Sequence, residues 1–262
     1  MTSEFQKVCE HAARVGGQIL RDMLGKVGVR EKERADLVTD ADFAAQKAIR
    51  DIVLAAYPDH DFLGEESDAN EVVIAAEKSG GFRWVVDPLD GTTNFVHCVP
   101  LFASSVALAR GNELLCGTVF NPMIDECFTA EKGRGAFLNG ERIRTSDVVE
   151  FEQALASVSF PTTTHPNSPD LYAFLKLVPE SQAIRRTGST AINMAYIAAG
   201  RFDIMTCYGA NAWDVAAGAL LVLEAGGVVS APDGSEFDLD NGATLASANT
   251  ELHEKTVRLI NG

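Results

Sequence analysis

Asp87-Pro88-Leu89-Asp90-Gly91-Thr92 brings together two carboxylates, the carbonyl between them and a run of small or hydroxylated residues. Carboxylate and carbonyl oxygens are hard ligands that suit Mg²⁺. Gly91 lets the backbone approach another group closely. The amides of Gly91, Thr92 and Thr93 offer donors to a phosphate, more so where a helical turn begins. Metal ligands and anion donors in one short loop point to metal-assisted attack on a phosphate ester. Taken alone, the same stretch also reads as a capped turn, with Asp90 or Thr92 as N-cap. The element that must position it is the apolar run Trp84-Val85-Val86, which reads as a buried strand. Asp87 falls at its end, and Pro88, lacking an N–H, is expected to stop the ladder there.

Three further acidic groups have two readings each. Asp40-Ala41-Asp42 precedes an apolar-striped segment, so Asp40 reads as a helix N-cap and Asp42 as a first-turn charge. A D-x-D motif also belongs to phosphatases of the haloacid-dehalogenase type. Those call for Thr or Val two residues after the second Asp, where this chain has Ala44. Glu65-Glu66 follows Leu63-Gly64 and reads as an exposed acidic turn, unless Glu65 and Asp87 lie on neighbouring strand ends. Asp214 opens a helix, where it complements the dipole or joins a Mg²⁺ site. Gly188-Ser189-Thr190 opens the preceding helix with amides that cap it or meet a substrate.

The chain has 262 residues, 46% hydrophobic and 23% charged, which suits a globular protein with one large domain or two fused halves. A net charge of −15 argues against a nucleic-acid surface as the main partner. The five cysteines form no C-x-x-C pair and the histidines no H-x-x-x-H, so zinc is not expected and a reducing compartment is. No apolar run reaches membrane-spanning length and the first twenty residues lack a signal peptide's apolar core. The expected location is cytoplasmic, with no membrane partner.

Helical spacing marks residues 3–24, and Gly16-Gly17 inside it either weakens the helix or admits a close neighbour. Residues 29–36 read as a charged loop. A second helix follows Asp40 and ends before Pro58. Strands are expected at 102–109, 114–120 and 126–130, with hairpin turns at Gly111-Asn112 and Asn139-Gly140. Residues 145–153 form a polar connection. Beyond it strands and helices alternate: strands at 155–160, 183–185, 202–206, 228–229 and 243–248, helices at 169–178, 189–199 and 213–225, and one after Asn249. This is an α+β half at about 1–145 and an α/β half at about 150–262.

Taken together, Leu63-Gly64-Glu65-Glu66, Trp84 to Phe95 and Trp213-Asp214-Val215-Ala216-Ala217-Gly218 resemble the inositol monophosphatase family of lithium-sensitive, Mg²⁺-dependent phosphatases. Asp36-Leu37-Val38-Thr39 and the Gly226-Gly227 helix stop extend the resemblance over the whole chain, 1–262. It implies a single α-β-α-β-α layered sandwich of the inositol monophosphatase and fructose-1,6-bisphosphatase type, usually a homodimer, with two or three Mg²⁺ ions per site. Carried over by motif, Glu65, Asp87, the Leu89 carbonyl, Asp90 and Asp214 are metal ligands. Asp42, Glu65 and Thr92 are catalytic, with the Thr92 hydroxyl paired to Asp42 on the attacking water. Asp90, Gly91, Thr92, Gly188, Ser189, Cys207 and Asp214 face the substrate. Inositol-selective members carry a Glu where this chain has Cys207, and a thiol is a poor acceptor for polyol hydroxyls. The implied activity is hydrolysis of inositol 1-phosphate or a related small monoester. The alternatives are histidinol phosphate, fructose 1,6-bisphosphate or a 3′-phosphonucleotide, with Arg185 and Arg186 meeting an anionic substrate or covering the surface. A non-catalytic regulatory role is a further alternative. A phosphoryl transferase is disfavoured by the absence of G-x-x-x-x-G-K-[ST].

Overall fold

The computed structural model describes residues 2–26, 28–33, 36–67, 81–161 and 164–262. The first layer is α1 (Glu4–Met23) and α2 (Asp40–Ala56). Ser3 caps α1 by accepting from the Gln6 N–H. Gly16 and Gly17 are where α1 lies closest to its neighbours. A Cβ on Gly16 would stand 2.7 Å from Ile49 Cδ1, and one on Gly17 would stand 2.4 Å from Phe120 Cδ1. The glycine pair thus admits both α2 and the sheet beneath.

That sheet has seven strands in the order β3-β4-β5-β6-β7-β8-β9. They are β3 (Asp61–Gly64), β4 (Phe82–Asp90), β5 (Ala103–Arg110), β6 (Glu113–Asn121), β7 (Glu126–Glu131), β8 (Gly135–Leu138) and β9 (Glu141–Ile143). β3 pairs parallel to β4, and the remaining pairs are antiparallel. Side chains alternate across the pleat. Trp84, Val86, Val106 and Leu108 meet α1 and α2, while Val85, Ala107 and Val119 face the opposite layer.

The opposite layer is α5 (Thr190–Ala198) and α6 (Ala212–Glu224). Both are apolar on nearly every side, as a helix between two sheets must be. Below them lies a five-stranded sheet, β11-β10-β12-β14-β13. Its strands are β10 (Leu155–Val158), β11 (Ala183–Arg185), β12 (Ile204–Cys207), β13 (Val228–Ser230) and β14 (Thr244–Ser247). Helices α4 (Pro169–Leu177) and α7 (Thr250–Asn261) cover its far face through Ala173, Leu177, Leu252 and Ile260. The molecule is the α-β-α-β-α sandwich expected.

Local expectations needed correction. Residues 29–36 are not simply a loop: β1 (Val29–Glu33) and β2 (Asp36–Thr39) pair antiparallel. Charged residues hid the hairpin, and Arg34 and Ala35 of that expected loop lie outside the described residues. β4 does not stop at Pro88 but runs to Asp90. Its partner β5 registers Asp87 with Ser105 and Asp90 with Ala103, so β4 carries one extra residue there. The second sheet is mixed: β10-β11 and β10-β12 are parallel, while β12-β14 and β13-β14 are antiparallel. No helix among the described residues is long and apolar enough to cross a membrane.

Candidate active site

The bulge in β4 builds the centre of the site. Residues three apart on a regular strand point to opposite faces. One extra residue between Asp87 and Asp90 returns them to the same face, the side of α5 and α6. Leu89 turns the other way, packing with Leu20, Ala41, Ala45, Phe95 and Phe102. Its carbonyl stays at the site, accepting from the Thr92 hydroxyl at 3.2 Å. The Asp87 carboxylate accepts the Leu89 N–H at 2.9 Å, which braces the bulge.

Gly91 then takes φ 101°, a left-handed conformation that L side chains avoid. A Cβ there would meet the Leu101 carbonyl oxygen at 3.0 Å and that of Gly188 at 3.3 Å. The turn starts the short helix α3 (Thr92–Val96). Asn94 on α3 donates to the carbonyls of Leu101 (2.6 Å) and Thr187 (2.8 Å). Gly188, at φ 85°, packs its α-carbon against that amide. The starts of α3 and α5 are thereby stapled together.

Glu65 arrives from β3. The parallel register aligns Gly64 with Val86, and the Glu65 N–H donates to the Val86 carbonyl at 3.1 Å. This places Glu65 beside Asp87. Gln46 on α2 holds the turn from below. It accepts the Glu66 N–H at 2.9 Å, and a Cβ on Gly64 would lie 2.3 Å from the same oxygen.

Asp42 comes from the first turn of α2. The N-cap is Thr39, not Asp40, and Thr39 and Asp42 form a capping box. Asp42 Oδ2 accepts the Thr39 N–H (2.8 Å) and hydroxyl (2.6 Å). Oδ1 is left facing the Thr92 hydroxyl at 3.5 Å, a loose contact. Asp40 is exposed and pairs with Arg30 at 2.9 Å. The T-x-x-D spacing of Thr39 and Asp42 was the signal for this cap. Gln46, one turn after Asp42, shared its face.

Asp214 is the third residue of α6, where it accepts the Asn211 N–H at 2.6 Å and reaches Asp87. Asp90 is engaged by the start of α5. Ser189 donates its hydroxyl to Oδ2 at 2.5 Å, the Ala191 N–H donates to Oδ2 at 2.6 Å, and the Thr190 N–H donates to Oδ1 at 3.1 Å. Ser189, expected to face substrate, thus spends its hydroxyl on Asp90. Cys207, at the end of β12, is buried near Asp214 and Asp90. Arg185 and Arg186 are exposed, and Arg186 lies over the Phe160 ring.

The electrostatics follow from crowding. Burial holds the Asp87 carboxyl well above the usual range, and the charges of Glu65, Asp90 and Asp214 push it further. Burial lifts Asp90 to about 6 against the bonds from Ser189, Ala191 and Thr190. Burial also lifts Asp214 to about 7, against the Asn211 amide and with the Asp90 charge, although its side chain keeps some solvent access. Asp42, likewise buried, rises to about 6 against its bonds to Thr39. Cys207 is pushed up to about 12, chiefly by burial and then by Asp214, so it stays a neutral thiol. Mutually repelling carboxylates on one face call for a cation. Among the described residues no three Asp, Glu, His or Cys side chains close into a cage around one point.

The sequence profile of the inositol monophosphatase family matches residues 1–262. The Nus factor SuhB of Pseudomonas aeruginosa is 42% identical over 95% of this chain and 93% of its own. The inositol-1-monophosphatase of Mesorhizobium japonicum is 39% identical over 93% and 91%. The crystal structure of the extragenic suppressor protein suhB from Bartonella henselae superposes with a TM-score of 0.90 at 36% identity, covering 98% of each chain. A buried carboxylate group on a strand bulge, carried by this fold and these likenesses, makes the chain a phosphoric monoester hydrolase that belongs to the inositol monophosphatase family.

Proposed function

We propose that the chain hydrolyses inositol 1-phosphate or a related small phosphate monoester, using Mg²⁺. The observation that carries this reading is the convergence of Asp87, Asp90 and Asp214 beside a Thr92–Asp42 pair. Glu65, Asp87, the Leu89 carbonyl, Asp90 and Asp214 are all hard oxygen donors, which fits Mg²⁺. In this reading they hold two or three ions. Bound there, Mg²⁺ would supply a water acidic enough to ionise at neutral pH and charge neutralisation at the phosphoryl group.

The chain's own groups do the rest. The Thr92 hydroxyl orients the attacking water, and Asp42, lifted to about 6, takes a proton through it near neutral pH. The amides of Gly91 and Thr92 hold the phosphoryl oxygens. The water oxygen forms the new P–O bond as the ester P–O bond breaks in line, and the leaving alkoxide takes a proton from a solvent water. No protein nucleophile is required. The reading includes a homodimer, checked by light scattering, a cytoplasmic location, checked by fractionation, and inhibition by lithium.

Cys207 favours a second reading for the substrate. A neutral buried thiol offers a ring hydroxyl little to bond, so a different phosphate ester fits at least as well. Phosphate release with Mg²⁺ from inositol 1-phosphate, histidinol phosphate, fructose 1,6-bisphosphate and adenosine 3′,5′-bisphosphate separates the two. EDTA and lithium serve as controls. Clear preference for inositol 1-phosphate supports the first reading, and preference for another compound the second. Release from none would move the reading to a role through a protein partner, for which the 42% identity to a protein named Nus factor is the one support.

A further inference from the structure

Asp90 has much of its acceptor capacity filled by the protein itself. An ionised carboxylate offers about four lone-pair directions. The Ser189 hydroxyl and the Ala191 N–H occupy both on Oδ2, and the Thr190 N–H takes one on Oδ1. Ser189 is 1% exposed. Its hydroxyl donates to Asp90 and accepts the Ile192 N–H at 3.2 Å, so it caps α5 and grips Asp90 with one oxygen. The start of α5, where helix amides gather to receive an anion, is therefore filled by a side chain of the other sheet. Asp90 needs such a grip, because it stands at a strand end between a bulge and the left-handed Gly91.

We propose that Ser189, with the Thr190 and Ala191 amides, is a positioning residue that fixes Asp90 so that its remaining acceptor capacity on Oδ1 serves a metal ion. The inference rests on the Mg²⁺ site proposed above. It reassigns Ser189 from substrate contact to metal affinity, and it leaves the phosphate to the Gly91–Thr92 turn rather than to α5.

The test is calorimetric titration of metal-stripped protein with Mg²⁺, alongside the Mg²⁺ dependence of phosphate release. S189A is expected to weaken Mg²⁺ binding by about 10–100-fold, the usual effect of removing a group that orients a ligand. S189T keeps a hydroxyl and is expected to stay within a few-fold of wild type. S189C, with a longer and weaker donor, falls between them and carries the test if S189A does not fold. S168A is the control for capping alone. Ser168 caps α4 by accepting the Leu171 N–H, so its loss lowers the melting temperature without moving Mg²⁺ affinity. If S189A or S189C binds Mg²⁺ like wild type while melting lower, Ser189 is only a cap and the inference falls alone. If wild type itself takes no Mg²⁺, the proposed metal site falls, and the inference with it.

Discussion

Asp203 and Asp87 are both buried carboxylates, one just before a strand and one within a strand, yet they stand in opposite situations. Asp203, just before β12, is alone and satisfied. One oxygen accepts the Ser146 hydroxyl, and the other accepts the Leu155 N–H at 2.7 Å. Its backbone pairs with Leu155 and Ala248. It fastens the connection after β9 to three strands of the second sheet. Asp87 accepts a single N–H and faces Glu65, Asp90 and Asp214. Burial alone does not mark a functional carboxylate, since a buried acid with its own donors is a staple. A buried acid with one donor and several acids around it, as at Asp87, marks a place that calls for a cation.

The contrast breaks most visibly on substitution of the crowded acids. D87N and D214N are each expected to lower phosphate release by roughly 10³-fold, if ligand loss removes several kcal/mol of charge stabilisation. Both should also raise the melting temperature of metal-free protein, because a repelling charge is gone. A lower melting temperature for both would show that these acids are staples like Asp203. T92A and D42N come next. Removal of a proton-handling group predicts a loss of about 10²–10⁴-fold with Mg²⁺ binding retained, read by calorimetry and initial rates.

pH sharpens the comparison further. The raised values of Asp42, Asp90 and Asp214, about 6 to 7, mean that the folded protein keeps protons the unfolded chain releases near pH 4. Their stabilising contribution is whole below about pH 4 and is lost as pH rises through 6 and 7. Metal-free protein should therefore be less stable to unfolding at pH 8 than at pH 5, by on the order of a few kcal/mol, and melt lower. Millimolar Mg²⁺ should flatten that slope, because a ligand of the folded state stabilises it. A metal-free slope of the opposite sign would contradict the crowding. The smallest effect belongs to the staple: D203A should cost about 1–3 kcal/mol by leaving donors unpaired. In urea titrations that cost is expected to be the same with and without Mg²⁺, with activity per folded molecule unchanged.

The long helices and the hairpins of the first half were legible, because 3.6-residue stripes and Asn-Gly or Gly-Asn turns are local signals. Alternation revealed the second half's elements but not that β13 and β14 run antiparallel to their neighbours, since pairing direction is decided by the whole sheet. The pairing of β1 with β2 was missed because strands rich in charged residues carry no apolar alternation. Pro88 misled because a bulge admits a residue without an N–H where a regular ladder would not. In the site, the residue types at 87–92, 65 and 214 were readable. The partners were not: nothing beside Ser189 in sequence announces a carboxylate 99 positions away.

That distance has a consequence for how the molecule comes into being. The bonds holding Asp90 join residues 99 to 101 positions apart, and contacts of such span tend to form late. A chain still being synthesised, with residue 150 just emerged, already has Asp42, Glu65, Asp87 and Thr92 but neither the amides of α5 nor Asp214. The proposed metal site then has no finished seat until the second half has docked. An ion bound there would act as a latch on the completed protein rather than a seed for folding, and Mg²⁺ is expected to slow unfolding in stopped-flow measurements while leaving the refolding rate nearly as it was.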